Sequence, residues 1–204
     1  ENIATAREWI PLWAVEAGLS VESVEQDHLR VFDATRDIRI HFERADVFDF
    51  IKKNPAPADL LIAHAFLDLL PMPESMSKLL ALTKHLAWLT INFDGMTSLE
   101  PTIDIALDEQ IERLYHATMD ARVTGGDSRA GRHLFSHLRK AGAEVLAAGS
   151  SDWMVHSVNG RYPADEAYFL YFILHFFEES LMCHAELDGA AFVNWLKERR
   201  AQIE

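Results

Sequence analysis

Polar side chains that can do acid, base or hydrogen-bonding chemistry follow three strand-like segments of this chain. Asp46 follows the first segment, His64 and Asp68 follow the second, and Asn92 and Asp94 follow the third. In an open α/β sheet, ligands bind beyond the carboxyl ends of the parallel strands, so a site is expected at these positions. Imidazole and carboxylate groups can take a proton from a substrate, which makes His64 and Asp68 candidate catalytic residues.

All of these residues except Asp46 also have a purely structural interpretation. A histidine in an apolar strand is often a hydrogen-bonded core residue, and Asp68 can cap a turn ahead of Pro71. Asn92 and Asp94 are candidate substrate ligands, but the same residues followed by Gly95 are typical of an Asx turn. Both interpretations stay open at this level.

The elements that must position these residues are predicted from their apolar patterns. Residues 36–43 alternate polar and apolar side chains, which favours an edge strand with one wetter face. Residues 59–67 and 86–93 are almost continuously apolar, which is typical of parallel strands covered by helices on both faces. A helix from Pro73 to Lys84 joins these two strands, as a parallel crossover requires.

The remaining periodicity predicts an opening helix that ends at Gly18, short strands near 21–24 and 29–32, and a series of later elements. These are helices at about 102–121, 129–141, 164–182 and 188–202, and a strand at about 143–149 after Gly142. The pattern predicts an α/β protein with a Rossmann-like, mostly parallel sheet flanked by helices and with extra C-terminal helices. The length of 204 residues fits a single domain over 1–204.

Composition narrows the class of partner. The chain has 32 acidic and 19 basic residues and a net charge of -13, which argues against nucleic acid or an anionic membrane as the main partner. One cysteine, Cys183, cannot form an intrachain disulfide, so a cytoplasmic location is expected. Charged residues interrupt every apolar run before the roughly 20 residues that a membrane helix needs, so no membrane span is predicted.

The order of these elements resembles that of class I S-adenosylmethionine-dependent methyltransferases over most of the chain. The resemblance is carried by four segments, which are Asn2-Ile3-Ala4-Thr5-Ala6-Arg7, Ala45-Asp46-Val47, Asp59-Leu60-Leu61-Ile62-Ala63-His64 and the helix that starts Gly131-Arg132-His133-Leu134. It implies that S-adenosylmethionine is the cofactor and that a small molecule is methylated. It further implies that Asp46 contacts the adenine amino group beside Val47, and that Ala63 and His64 lie under the methionine moiety.

Two expected features of that family have no counterpart in the sequence. No glycine-rich turn precedes Asp46, and no final antiparallel strand is evident before Glu204. We therefore expect the native gene product to be longer at both ends, or another chain to complete the sheet. The alternative function is a non-catalytic interaction domain of the same fold, which binds a partner through an aromatic helix. A nicotinamide-dependent enzyme is a third, less fitting alternative.

Three further features have chemistry of their own. Arg129 and Arg132 can present guanidinium groups to a carboxylate or phosphate of the substrate, although Ser128 beside them can simply cap a helix. His133 and His137 have the i, i+4 spacing of metal ligands, but no third ligand is evident and no metal site is predicted. The aromatic block 168–177 predicts a buried helix, with a substrate lid or a homodimer face as alternatives.

Overall fold

The computed structural model describes residues 2–25, 27–93, 96–122 and 125–203. The chain divides into two compact units, residues 1–55 and 56–204. Each unit has its own sheet and its own cluster of buried apolar side chains. The predicted mixed α/β class is confirmed.

The first unit begins with helix α1 (Asn2–Glu16), which packs against a small sheet. The helix ends at Glu16, and the predicted C-cap glycine, Gly18, follows it with a φ of +76°. The N–H of Leu19 donates to the carbonyl of Ala14 at 2.8 Å. Ala14 and Leu19 then pack on Leu29 and Val31 of the sheet. This cluster is the core of the unit.

The sheet of the first unit is an antiparallel meander. Its strands are β1 (Ser20–Glu25), β2 (His28–Phe32) and β3 (Asp37–His41). The central strand β2 carries Arg30, which donates to Asp37 at 2.9 Å and to Glu22 at 3.2 Å and so links all three strands. The sequence predicts segment 36–43 as the edge of a mostly parallel sheet, whereas here it is the edge of a separate antiparallel one. Short helix α2 (Val47–Lys52) follows.

The second unit contains a strand–helix–strand segment. Its elements are β4 (Ala58–His64), a 3₁₀ turn (Leu67–Leu69), helix α3 (Glu74–Leu80) and β5 (Thr83–Thr90). Strands β4 and β5 are parallel, as predicted, with Ile62 opposite Trp88 and His64 opposite Thr90. They are the one parallel pair among the described strands, so the predicted mostly parallel sheet is not formed by this part of the chain.

The prediction that helices cover both faces of β4 and β5 is wrong for the described residues. Ile62 is 52% exposed and Trp88 is 61% exposed, and Leu60 and Leu86 are exposed as well. The continuous apolar pattern correctly marks a parallel pair. The pattern does not establish which segments pack on the two strands, because that packing depends on residues distant in the sequence.

Four helices complete the second unit. They are α4 (Ile105–Asp120), α5 (Ala130–Lys140), α6 (Glu166–Leu181) and α7 (Gly189–Ala201). All four lie within a few residues of their predicted bounds. Helices α4, α6 and α7 enclose a core that includes Ile111, Phe177 and Phe192, all fully buried. Within the described part of the chain, no helix combines the length and the apolar character needed to cross a bilayer.

The oppositely charged residues Asp108 and Arg199 pair beside this helical core. Arg199 is buried and donates to Asp108 at 2.9 Å and to the carbonyl of Pro101 at 2.6 Å. Trp195 also donates to Asp108, at 2.5 Å. Such a network ties α7 to the start of α4 because a buried charge needs a partner.

The strand predicted near 143–149 is not formed. Residues 143–150 have no regular secondary structure and are mostly exposed. A strand needs a neighbour to accept its backbone hydrogen bonds, and no described strand lies next to this segment. The local apolar pattern alone was therefore an insufficient signal.

Candidate functional site

His64 closes strand β4 at the position where the sequence predicts chemistry. Its Nδ1 lies 2.9 Å from the hydroxyl oxygen of Thr90, the last residue of β5. The indole of Trp88 meets the ring edge to face, with centroids 5.7 Å apart. The imidazole is exposed, so the interpretation of His64 as a buried core residue does not hold. Its ring is therefore an accessible imidazole, held in position at the carboxyl ends of two parallel strands.

The backbone on both sides of His64 is also specialised. Ala63 is buried. Ala65 has a φ of +52°, a left-handed conformation that is uncommon for a non-glycine residue. Its N–H donates to the carbonyl of Thr90 at 3.0 Å, which holds the turn onto the end of β5. Strained positions of this kind concentrate at binding and catalytic sites.

A small cavity of about 90 Å³ lies beyond this turn. It is enclosed by the 3₁₀ turn, the segment after β5, the end of α4 and the loop before α5, and its lining residues are Asp68, Leu69, Phe93, Met119, Arg122, Gly126 and Asp127. The volume exceeds the 10–15 Å³ or so that one water needs and is far below the roughly 300 Å³ of a common ligand pocket. A cavity of this volume can hold a small chemical group.

Asp68 places a carboxylate in the wall of this cavity. Its Oδ1 is buried and accepts no hydrogen bond from any described residue. Buried polar atoms are nearly always paired, so this unpaired oxygen on a cavity-lining residue requires an explanation. A turn cap would accept a backbone N–H, and Oδ1 accepts none from the described residues, so this atom does not support the alternative in which Asp68 caps a turn.

Gly125 allows the loop before α5 to approach the 3₁₀ turn. A Cβ at this position would lie 2.4 Å from the backbone nitrogen of Pro71 and 2.5 Å from the carbonyl carbon of Leu70. Only glycine fits at such distances, and the φ of +108° also suits glycine. The cavity therefore depends on a contact between segments far apart in sequence.

The loop also orders the start of α5. Ser128 is buried, and its N–H and hydroxyl donate to Asp120 at 2.7 and 3.1 Å, so Ser128 does not cap α5. Arg129 and Arg132, the predicted substrate ligands, are both exposed, Arg129 as the N-cap residue of that helix and Arg132 in its first turn. They lie on an element whose preceding residues line the cavity.

His116 in α4 was not singled out by sequence reasoning. Its ring lies 5.3 Å from the ring of Phe93, a cavity residue, and its Nε2 is buried with no hydrogen-bond partner among the described residues. Burial lowers the pKa of His116 below its usual value, against the opposing charge of Asp120. The place of His116 on an amphipathic helix gave no signal in the sequence that its ring would lie next to a cavity residue.

The remaining predicted site residues lie at other places in the chain. Asn92 is exposed after β5, and Asp94 lies outside the described residues. In the first unit, Asp46 caps α2, because its Oδ1 accepts from the N–H groups of Phe48 at 2.8 Å and Asp49 at 3.1 Å. Val47, half-buried, begins the helix.

Helix α6 carries the predicted aromatic block on two different faces. Phe177 belongs to the buried core, whereas Tyr168 is 66% and Phe172 is 43% exposed. The outer side chains form an open groove of about 310 Å³, lined by Asp165, Tyr168, Phe169, Phe172, Ile173 and Phe176. The prediction of a buried helix thus holds for one face only.

Comparison of the chain with protein-family models, with curated proteins and with solved structures finds no match.

Proposed function

We propose that this protein is a class I S-adenosylmethionine-dependent methyltransferase that acts on a small molecule. The supporting observation is the parallel β4–α3–β5 unit with His64, Thr90 and the left-handed Ala65 at the carboxyl ends of its strands. Ligands of open α/β folds bind at such ends. The finer fold assignment, a single Rossmann-like domain over 1–204, belongs to the same proposal.

S-adenosylmethionine, when bound, supplies a methyl group on a positively charged sulfur. Asp46 would accept from the adenine amine through Oδ2, since the described hydrogen bonds from the chain go to Oδ1. Val47 would pack beside the base, and Ala63 with His64 would lie along the methionine portion. In the first unit, Asp46 and Val47 offer a carboxylate and an apolar contact, and in the second unit, Ala63 and His64 offer an apolar contact and a polar ring.

Methyl transfer needs alignment of the acceptor atom with the methyl carbon and the sulfur. The cofactor would supply the methyl group, and the residues of this chain would hold the acceptor in position and take up any proton that it loses. A proton leaving the acceptor would go to His64 or to the carboxylate of Asp68, a residue that lines the cavity. Asn92, Arg129 and Arg132 are the proposed substrate contacts, with Asp94 outside the described residues.

A second candidate function rests on a different observation, the exposed aromatic groove of α6. Aromatic side chains are enriched at protein interfaces, and this groove is apolar along most of its length. It favours a non-catalytic interaction domain that binds a protein partner, or a homodimer contact.

The deciding experiment is a calorimetric titration of the complete protein with S-adenosylmethionine and with its demethylated product. ATP serves as a control ligand, because it has the adenine and ribose but lacks the methionine moiety. Binding of the first two and not of ATP supports the methyltransferase. Absence of binding in folded protein overturns it and leaves the interaction domain as the better candidate.

A further inference from the structure

Three potential metal ligands converge where the loop before α5 meets the first turns of that helix. Asp127, His133 and His137 each offer one ligand atom, and these atoms all lie within 4.8 Å of one another. His133 and His137 stand one turn apart on α5, with ring centroids 6.1 Å apart. The sequence provides the histidine pair without an evident third ligand. The structure adds Asp127.

The carboxylate of Asp127 is held in place from two sides. Its Oδ1 accepts from the N–H of Arg129 at 2.8 Å, and its Oδ2 lies 2.6 Å from Nδ1 of His133. This contact holds the His133 ring beside the carboxylate, and a metal ion bound by both groups would displace the proton between them. This part of the cluster is preorganised.

His137 provides an independent observation. Its Nδ1 is buried and has no hydrogen-bond partner among the described residues. A buried polar atom without a partner costs free energy and requires an explanation. Coordination of a metal ion through Nδ1 would give this nitrogen the partner that it lacks.

The donor set determines the class of ion. Two imidazoles and one carboxylate suit Zn²⁺ and related divalent transition metals, whereas Ca²⁺ and Mg²⁺ prefer oxygen ligands throughout. Ligand atoms of a tetrahedral zinc site lie about 3.3 Å apart, which follows from bond lengths of about 2.0–2.1 Å. The three ligand atoms already lie within 4.8 Å of one another, so small side-chain rotations would bring them to this spacing.

We propose that Asp127, His133 and His137 bind a divalent transition-metal ion, with at least one coordination position left open. Asp127 also lines the cavity that contains Asp68, so the ion would lie beside that cavity. The net charge of -13 favours cation binding, while Arg129 and Arg132 at the start of α5 oppose it. This inference does not depend on the binding of S-adenosylmethionine.

The test uses Zn²⁺ and Co²⁺ with the complete protein after treatment with a chelator. Calorimetry is expected to give one Zn²⁺ per chain, and Co²⁺ is expected to give a visible absorption spectrum of a site with mixed nitrogen and oxygen ligands. His133→Ala, His137→Ala and Asp127→Asn should each weaken Zn²⁺ binding at least tenfold. Asp127→Asn keeps an acceptor for the N–H of Arg129, so this variant remains informative if a histidine variant does not fold.

His175→Ala is the matched control. His175 is an exposed helical histidine beside a carboxylate, with its Nε2 3.4 Å from Glu179, but it has no third ligand among the clusters found in the described residues. Its replacement should leave Zn²⁺ affinity within twofold. The proposal is overturned if the wild type binds no stoichiometric Zn²⁺, or if the three ligand variants bind it as the wild type does.

Discussion

Nδ1 of His64 and the hydroxyl oxygen of Thr90 lie 2.9 Å apart at the ends of two adjacent parallel strands. This hydrogen bond joins the proposed base to the neighbouring strand and limits the rotation of an otherwise exposed ring. An imidazole held in one orientation can contact a ligand at lower entropic cost than a free one. Because the ring of His64 is exposed and one hydrogen bond joins it to Thr90, a substitution at Thr90 can perturb the proposed site without disturbing the fold.

Thr90→Val removes the hydroxyl with little change in shape. We expect S-adenosylmethionine to bind about 3- to 10-fold more weakly, since a typical hydrogen bond is worth about 0.5–1.5 kcal/mol. Calorimetry measures this change. Thr83→Val is the control, because Thr83 donates to the carbonyl of Leu86 at the opposite end of β5. Equal effects from both variants would argue against a role for the His64–Thr90 pair.

Gly125→Ala tests the contact that encloses the cavity. The added Cβ would meet the backbone of Leu70 and Pro71 at about 2.5 Å or less, and we expect a loss of about 2–3 kcal/mol in the free energy of unfolding. Urea denaturation measures it. Gly142→Ala is the matched control, because Gly142 has a φ of +82° but open space around it, so only the backbone cost of about 1–2 kcal/mol applies. A smaller loss at Gly125 than at Gly142 would contradict the close approach.

The Asp108–Arg199 pair makes stability sensitive to acid. Burial raises the pKa of Asp108, but the hydrogen bonds from Trp195 and Arg199 outweigh it, so the net pKa is below the usual value. A depressed carboxylate pKa stabilises the fold above the unfolded-state pKa of about 4, and this contribution is lost as the pH falls through the lower folded-state pKa.

Asp108→Asn should therefore cost about 3 kcal/mol at pH 7, because it leaves Arg199 buried without its counter-charge. The difference from wild type should shrink as the pH falls below about 4. Thermal unfolding across pH measures both effects. Asp104→Asn is the control, since Asn also caps a helix well and Asp104 is the N-cap of α4. An unchanged pH dependence in Asp108→Asn would refute the assignment.

The two faces of α6 should respond differently to truncation. Phe177→Ala empties a fully buried position, and we expect a loss of about 3–5 kcal/mol. Phe172→Ala, on the exposed groove, should cost less than about 1 kcal/mol. Chemical denaturation separates them. If Phe172→Ala also changes the sedimentation of the protein, the groove is a contact between copies, whereas equal stability losses would mean that both faces are buried.

The sequence predicted the elements whose signal is local. Helices α4 to α7 follow their apolar periodicity, and β4 and β5 follow their continuous apolar runs. The strand expected near 143–149 failed because a strand also requires a partner, which no local pattern guarantees. For the same reason, the exposure of Ile62 and Trp88 was not foreseen.

Parts of the candidate site were equally out of reach of sequence reasoning. His64 and Asp68 were identified because they follow a strand, and this rule needs only the order of elements. The cavity depends on Gly125 packing against Leu70 and Pro71, which is a contact between distant segments. Asp127 becomes a candidate metal ligand only because the loop before α5 brings its carboxylate next to His133.

The most direct test of the methyltransferase proposal compares two identical substitutions. Asp46→Ser and Asp188→Ser each replace an aspartate N-cap by serine, which also caps well, and so keep helices α2 and α7 intact. Only the first removes the carboxylate proposed to accept from adenine. In calorimetric titrations of the complete protein with S-adenosylmethionine, we expect Asp46→Ser to raise the Kd at least tenfold and Asp188→Ser to leave it within twofold. Equal affinities in both variants, or no binding to the wild type, would contradict the proposal.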